Sequence, residues 1–509
     1  MRACDGKKYA GRILAALLCV LVLTAVPAAA LGSEAAMPLP AEERPAAPLR
    51  ETEILPDPET ASPNGTSGNT ETAASCTPEE QLALLTELCG RIRTALLAGR
   101  SSVTISDLAI PVSAAQVRHI GYYCPYLDGT NISALLYYQS SSYSRIALTN
   151  GLGQEQTVAW IDRIDAGLAE LAAVADQGLS PEERVLRLHD YMCAHYHYDT
   201  ALEKYYPAIL MTEGLGVCQS YAYLFQYVMV QQGVECYAVE SDGMNHAWNM
   251  VKLNGHYYHL DVTWDDPVQD NFGLAGHSYF LLTDATVGDE NHEHYGWDLT
   301  ELVCDDASFE TAYMTAAGSP VAFLGSDRYY CGVVNGKQGL FCMHADTGSV
   351  ELAAEIGYWY VFESTSSYYP GRIWAGLYEY RGRLYFNTYR EVLVYDPSTG
   401  KTEVFCQPDT ADGYIYGMLG EGDRLIWSCQ QTPSVPYDSK DLRKIELQFL
   451  MGDVTCDGAV TLEDVAVLFR HVTGRTHLTA GALAAADMDE DGNVALNDVA
   501  LLYRRYVQE

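Results

Sequence analysis

Apolar spacing divides the 509-residue chain into six stretches of different texture. Ile13 to Val26 is a continuous apolar run, with Arg2, Lys7, Lys8 and Arg12 before it and Ala28-Ala29-Ala30 after it. That order of basic, apolar and small residues predicts a secretory signal at 1–30, and the run is short for a membrane span. Leu18 before Cys19 argues against a lipoprotein cleavage site, and an uncleaved anchor is the weaker alternative. Residues 31–76 are rich in Pro, Ala, Glu and Thr and almost without large apolar periodicity. Such a stretch cannot bury enough surface to order itself and is expected to be a disordered linker.

Folded structure is predicted to begin at Thr77-Pro78-Glu79-Glu80, a capping box with proline at the first helical position, followed by apolar residues at helical spacing to about Gly99. With short strands such as Ser133 to Tyr138, residues 77–151 suggest a small α/β domain without a catalytic constellation. In 152–304 a helical pattern from Glu155 to Ala175 precedes a second capping box at Ser180-Pro181-Glu182-Glu183 and a helix ending near Asp199. His189, His195 and His197 lie in or just after that helix, but no paired ligands with a matching carboxylate share one face, so structural or exposed roles are expected for them.

The stretch Gly214 to Asp266 carries the chemistry. Gly214 and Gly216 permit a tight turn that delivers Cys218 to a helix N-terminus, and Gly233 ends that helix. Unpaired amides at a helix start favour a thiolate, the form that attacks carbonyl carbon. Further on, Asn254-Gly255 separates two runs of aromatic and branched residues and selects a two-residue type I′ turn. The implied register pairs Leu253 with His256, Met250 with His259, Trp248 with Asp261 and His246 with Thr263. His246 and Asp261 then become diagonal neighbours on one face, roughly 7–8 Å apart at the backbone, within reach of an imidazole–carboxylate hydrogen bond. Trp248 and Gln219 are candidates for a second oxyanion donor beside the Cys218 N–H, although packing for Trp248 and solvent exposure for Gln219 are preferred. His259, which shares the face of the trio but lies one step beyond it, and Asp265-Asp266 at the strand end are left out of the chemistry.

From 305 to 449 the texture changes to short β-prone runs divided by turns. RYYCGVVNGKQGLFCMHADTGSVELA and RLYFNTYREVLVYDPSTGKTEVFC look like two copies of one unit, with turns at Asp346-Thr347-Gly348 and Ser398-Thr399-Gly400, and a weaker copy begins at Arg424. The unit resembles a propeller blade, but so few copies would not close a ring, leaving a meander or sandwich equally open. The region's tyrosines suit strand packing, with glycan contact as the alternative.

Composition changes this picture in two ways. The formal net charge of −36 excludes a nucleic-acid partner, and loss of the basic leader would make the remainder more acidic still. The 14 cysteines include no CxxC pair, so neither a zinc module nor a dense disulfide framework is indicated.

Part of the acidity is concentrated in an internal repeat at 450–509, DVTCDGAVTLEDVAVLFR from Asp453 and DMDEDGNVALNDVALLYR from Asp487. Each copy begins as an EF-hand-like loop, with oxygen donors at positions 1, 3, 5, 9 and 12, a carbonyl at 7 and glycine at 6. The predicted calcium ligands are Asp453, Thr455, Asp457, Thr461 and Asp464 with the Ala459 carbonyl, and Asp487, Asp489, Asp491 and Asp498 with the Asn493 carbonyl. Ala495 leaves a water at position 9 of the second loop.

HDYMCAHYHYD, GVCQSYAYLF and GMNHAWNMVKLNGHYYHLDVTWDDP, at their spacing over about 181–267, resemble the transglutaminase-like superfamily, whose core is papain-like. The family's Cys, His and Asp fall on Cys218, His246 and Asp261. The resemblance implies thioester chemistry on a protein or peptide substrate, with water or an amine as acceptor and no cofactor for catalysis. The duplicated loops, each followed by one helix and with Asp at position 12, resemble type I dockerin over about 452–507. That implies two calcium ions and docking onto the cohesin module of a scaffoldin, outside the cell, in a cellulosome-like assembly. Leu462, Glu463, Arg470, Leu496, Asn497 and Arg504 are the matching positions for cohesin contact.

The expected architecture is thus multidomain α+β: a papain/transglutaminase-like core, a β-rich propeller-like or meander region and a small all-α EF-hand-like dockerin. The expected function is that of a secreted cysteine peptidase or amidohydrolase. A Gln–Lys crosslinking transglutaminase or a non-catalytic adhesion or glycan-binding component are the alternatives.

Overall fold

The computed structural model describes residues 77–108, 112, 114–139, 142–266, 273–310, 313–362, 367–368, 372–407, 413–432, 442–447, 451–455, 460–476, 478, 485–489 and 493–508, together with the strand Ile54–Pro56. The signal expected at 1–30 lies outside them. Of the stretch expected to be linker, Ile54–Pro56 forms a strand parallel to Ile132–Gln139.

Thr77 opens the first helix, Pro78–Leu97, with both arms of its capping box made: Glu80 N–H donates to Thr77 Oγ1 at 3.2 Å and Thr77 N–H to Glu80 Oε2 at 3.0 Å. Leu85, Leu88, Ile92 and Leu96 recur at helical spacing and are buried. They pack with Tyr123 of the helix Ala114–Tyr123 and Ile146 of the strand Ser142–Asn150, but the same apolar cluster continues through Tyr223, Tyr237, Trp248 and Met250. The segment 77–151, expected to close as a unit of its own, therefore shares its core with the elements that carry Cys218 and His246.

The helix Cys218–Gln231 is apolar nearly all round and buried from Ser220 to Met229. It packs on a four-stranded antiparallel sheet of order Phe280–Leu282, His256–Leu260, His246–Leu253, Cys236–Ser241. On its other flank lies the helix Pro181–His195, whose N-terminus is capped by Ser180 and Glu183 as its sequence requires. A central helix against an antiparallel sheet is the layered arrangement expected of a papain-like core.

Beyond it, three up-and-down antiparallel sheets follow one another: Ala322 to Glu355 and Leu377 to Cys406 with four strands each, and Tyr414 to Glu446 with three. A separate hairpin pairs Tyr360–Phe362 with Ser367–Tyr368. Among the described residues no barrel or propeller ring closes, so the meander form of the expectation holds. The two predicted repeat turns are built alike: Gly348 and Gly400, at φ +67° and +68°, donate to His344 O and Asp396 O at 2.7 and 2.8 Å. The first sheet joins the papain-like core through Tyr330 and Phe341, which share an apolar cluster with Leu186 and Phe280, and through Val321 N–H, which donates to Asp190 Oδ2 at 2.7 Å.

In the C-terminal segment the helices Leu462–Val472 and Leu496–Gln508 close a small cluster of Val454, Val465, Leu468, Ala486 and Leu502.

Candidate active site

The turn before Cys218 is fixed by its glycines. Gly214 has φ +72°, and a Cβ on Gly216 would stand 2.2 Å from Ser220 Oγ, so only glycine fits there. Val217 takes the N-cap position, Cys218 is the first helical residue, and its side chain is half-buried. Gly233 follows the C-cap at φ +78°, as expected.

The hairpin register is the predicted one from Leu253–His256 to Asn249–Leu260, with Asn254 and Gly255 both at positive φ as a type I′ turn needs. The strand then ends sooner than predicted, so Trp248–Asp261 and His246–Thr263 are not pairs of the ladder. Asp261 instead becomes the N-cap of the one-turn helix Val262–Asp265, its Oδ1 accepting from the N–H groups of Thr263 and Trp264 at 3.0 and 3.2 Å. Its side chain still meets His246, with Nε2 to Oδ2 at 2.6 Å. Cys218 acts on the same ring, adding to the effect of Asp261 on the imidazole. Cys218, His246 and Asp261 are thus brought together in one constellation.

Electrostatics bind the trio. Burial works to lower the His246 imidazole, but the charge and hydrogen bond of Asp261, with Cys218 adding to them, push it up to about 10. Burial works to raise the Asp261 carboxyl, and His246 and His294 overcome it and hold the group well below the usual carboxylate range. An imidazolium paired with a carboxylate is the form that stabilises a neighbouring thiolate.

His294 is the member that sequence reasoning missed. It is fully buried, its Nε2 lies 2.9 Å from Asp261 Oδ2 and its Nδ1 2.9 Å from His292 O. It comes from a stretch without apolar periodicity, 33 positions after Asp261, and no spacing rule connects the two. Between them His246, His294, Thr263 and Trp264 give Asp261 four donors, which fixes the carboxylate in place.

Trp248 is buried and stacks on His246, ring centroids 5.7 Å apart at 18°. Its indole N–H donates to His259 Nδ1 at 2.9 Å, and His259 Nε2 lies 2.9 Å from Asp284 Oδ1. The indole N–H is thereby committed and unavailable to an oxyanion, and His259 serves as its anchor. Gln219 is half-buried beside Tyr122 rather than standing free in solvent. Trp264, 40% exposed, lies over His246 and His294 at 5.2 and 4.5 Å and forms an open aromatic wall.

Of the histidines set aside, His195 stacks on Tyr191 at 3.9 Å. His189 is fully buried between Asp190 and Asp265, 2.9 and 3.2 Å from its two nitrogens, with Cys193 Sγ 3.8 Å away and His277 bonded to the same Asp190 at 2.8 Å. These contacts of His189 and His277 with the carboxylates have hydrogen-bond lengths, so a structural role fits His189, and Asp265 belongs to that network.

The two acidic loops are built on one plan. Asp464 accepts from the N–H groups of Thr455 and Thr461, both at 2.7 Å, and Asp498 from those of Met488 and Ala495, both at 2.8 Å. Carboxylate oxygens of Asp487, Asp489 and Asp498 come within 4.8 Å of one another. In the first loop, Thr455 Oγ1 bonds Asp464 Oδ1 at 2.8 Å beside Asp453. This all-oxygen donor set is chemically suited to calcium, which takes six to eight such ligands. Asn493 lies in the described part of the second loop, and Asp457, Ala459 and Asp491 lie outside the described residues.

A half-buried thiol at a helix start, beside an imidazole held by a buried carboxylate that caps a one-turn helix, makes a candidate Cys–His–Asp site. Comparison with known proteins gives the same class. The transglutaminase-like superfamily model matches residues 171–262 and the dockerin type I model residues 451–506, so the chain carries a segment of each family. The kyphoscoliosis peptidase of Mus musculus is 28% identical over 163 residues, covering 27% of this chain and 25% of the relative. That of Homo sapiens is 26% identical over 161 residues, covering 26% and 24%. The chain thus spans about a quarter of the length of these curated relatives. Among solved structures, a TGase matches at 14% identity over 31% of this chain and 49% of its own, with a TM-score of 0.18. A candidate cysteine protease from Cytophaga hutchinsonii matches at 14% identity over 26% and 62%, with a TM-score of 0.17.

Proposed function

We propose that the protein is a secreted, thiol-dependent acyl-transfer enzyme, a cysteine peptidase or amidohydrolase of transglutaminase-like type, held on a scaffold through its dockerin. The observation that carries this reading is the 2.6 Å His246–Asp261 pair acting together with Cys218, a half-buried thiol at a helix N-terminus.

In the proposed reaction the Cys218 thiol gives its proton to His246 and the thiolate attacks a peptide or carboxamide carbonyl, opening the C=O π bond to an oxyanion. The Cys218 backbone N–H faces the site as a helix-start donor and would receive that oxyanion. Collapse re-forms the carbonyl and expels the amine, which takes the proton from His246, leaving a thioester. His246 then deprotonates the second nucleophile, whose attack releases the product and returns the proton to Cys218. Asp261, clamped by His294 and by its own helix cap, holds the imidazole in orientation throughout. Water as second nucleophile gives hydrolysis; a lysine amine gives crosslinking.

Incubation with peptide libraries, with and without an amine donor, separates these outcomes. Cleavage or deamidation that outpaces amine incorporation is expected, and the reverse would assign the crosslinking reaction. At the other end, chelation of calcium should abolish binding to cohesin while Cys218 keeps its reactivity toward a thiol probe, measured on one sample. Loss of both together would contradict independent roles for the two segments.

A further inference from the structure

The first sheet of the β-rich region gathers a set of metal donors that the acyl-transfer chemistry does not use. Register does the gathering. Arg328 pairs with Met343, so Asp327 ends opposite His344, while Cys342 pairs with Tyr329 on one side and Glu351 on the other. Cys342 and His344, two apart in sequence, project to one face, and Asp327 and Glu351 join them from the flanking strands. His344 Nδ1 lies 3.2 Å from Asp327 Oδ2 and 3.8 Å from Cys342 Sγ, and its Nε2 lies 3.2 Å from Glu351 Oε1. One donor atom from each of Asp327, Cys342 and His344 falls within 4.8 Å of the other two.

From this arrangement we propose that Asp327, Cys342 and His344 form a zinc site, with Glu351 as the carboxylate that orients the histidine. Around a tetrahedral ion with bonds of about 2.0–2.1 Å to nitrogen and oxygen and about 2.3 Å to sulfur, the N···O edge is about 3.3 Å and the N···S edge about 3.6 Å. The separations of His344 from Asp327 and from Cys342 differ from these edges by about 0.2 Å or less, so the histidine already stands at ligand spacing from both. Glu351 accepts the Nε2–H of His344, which leaves the Nδ1 lone pair facing the other two donors; a carboxylate behind a metal-binding histidine is the usual outer partner. The Cys342 thiol releases its proton to solvent on binding. Asp327 and His344 keep about a third of their side-chain surface exposed, which gives an ion a way in and leaves a water as fourth ligand.

The donor types decide the ion. A thiolate and an imidazole suit zinc, whereas calcium takes oxygen ligands, as in the C-terminal loops. The site also lies where the first β sheet meets the second, since the Tyr329 ring, paired with Cys342, stands 6.2 Å from that of Tyr395. Bound zinc would fasten two strands at that junction, with Glu351 tying in the third through His344, a stabilising role separate from Cys218.

The test uses the full chain, saturated with calcium, in a Cys218→Ser background so that the acyl-transfer thiol cannot contribute a ligand. Titration with cobalt(II) as spectroscopic probe should give the visible bands of a tetrahedral ion and a thiolate-to-metal charge-transfer band, both removed by one equivalent of zinc(II). Cys342→Ser should abolish the charge-transfer band. His344→Ala, at a half-exposed position where folding is checked by circular dichroism, should weaken uptake at least tenfold, and Glu351→Gln should weaken it less. No cobalt uptake, or a spectrum unchanged in Cys342→Ser or in a folded His344→Ala, overturns the proposal.

Discussion

Two of the Cys–His–Asp constellations among the described residues lie at opposite ends of one short helix, and they differ in what they can do. Asp261 at the start of Val262–Asp265 holds His246 and through it Cys218; Asp265 at its end holds His189, beside which lies Cys193. The side chains are of the same kinds. Cys218 is half-buried at a helix start, whereas Cys193 is buried near the end of the helix Pro181–His195, where there is no cluster of unpaired amides to favour a thiolate. Burial pushes the Cys193 thiol up to about 12, against the opposing pull of His189. His189, by contrast, is raised well above its ordinary value: burial works to lower it, but Cys193, Asp190 and Asp265 outweigh that. The second constellation is therefore a buried ionic tie between two helices, and the first is the candidate site. Access and position on the helix, more than the residue list, separate chemistry from architecture.

The sharpest way to break this comparison is to remove each histidine in turn. His246→Ala should lower substrate turnover by roughly a hundredfold to ten-thousandfold at a smaller cost in stability than loss of His189, because Asp261 keeps His294 and the N–H groups of Thr263 and Trp264 as partners. His189→Ala should do the opposite, leaving Asp190 and Asp265 buried without their shared partner at a cost of about 3 kcal/mol in chemical denaturation. Equal losses of stability in the two variants would erase the distinction.

A smaller effect is expected in the pH dependence of Asp261→Asn, which keeps a helix-capping side chain but loses the charge. His246 is raised in the folded state, so its share of the pair's stability is full below about 6.5, its ordinary value, and fades as pH rises through about 10. Asp261 is depressed, so its share is full above about 3.9 and fades as pH falls below that. The difference in unfolding midpoint between wild type and variant should therefore be greatest between about pH 4 and 6.5 and shrink toward pH 10. A difference that grows above pH 7 would contradict the assignment.

Cys193→Ala should have the smallest effect, about 1 kcal/mol or less of stability and no change in turnover. Loss of turnover in that variant would move the chemistry to the buried constellation.

Much of the working site could be read from the sequence because short-range rules govern it. Gly214 and Gly216 announced the turn, Asn254-Gly255 set the register, and two capping boxes fixed the helix starts. The register failed only past Leu260, where Asp261 caps a helix instead of continuing the strand; a capping residue and a strand end look alike when the helix that follows is a single turn long. His294 and the tie between His189, Asp265 and His277 were not legible, since they depend on tertiary approach across 33 and 76 positions or more. For the same reason the shared core of 77–151 and the Cys218 helix looked like two domains: apolar periodicity says which face is buried but not against what.

The central claim is tested most directly by the rate at which a small thiol-directed alkylating reagent modifies each cysteine of the folded protein, followed by peptide mapping. Cys218 should be modified first and far faster than Cys193, with its rate falling in His246→Ala. Modification of Cys218 no faster than that of Cys193, or a rate indifferent to His246, would contradict the account.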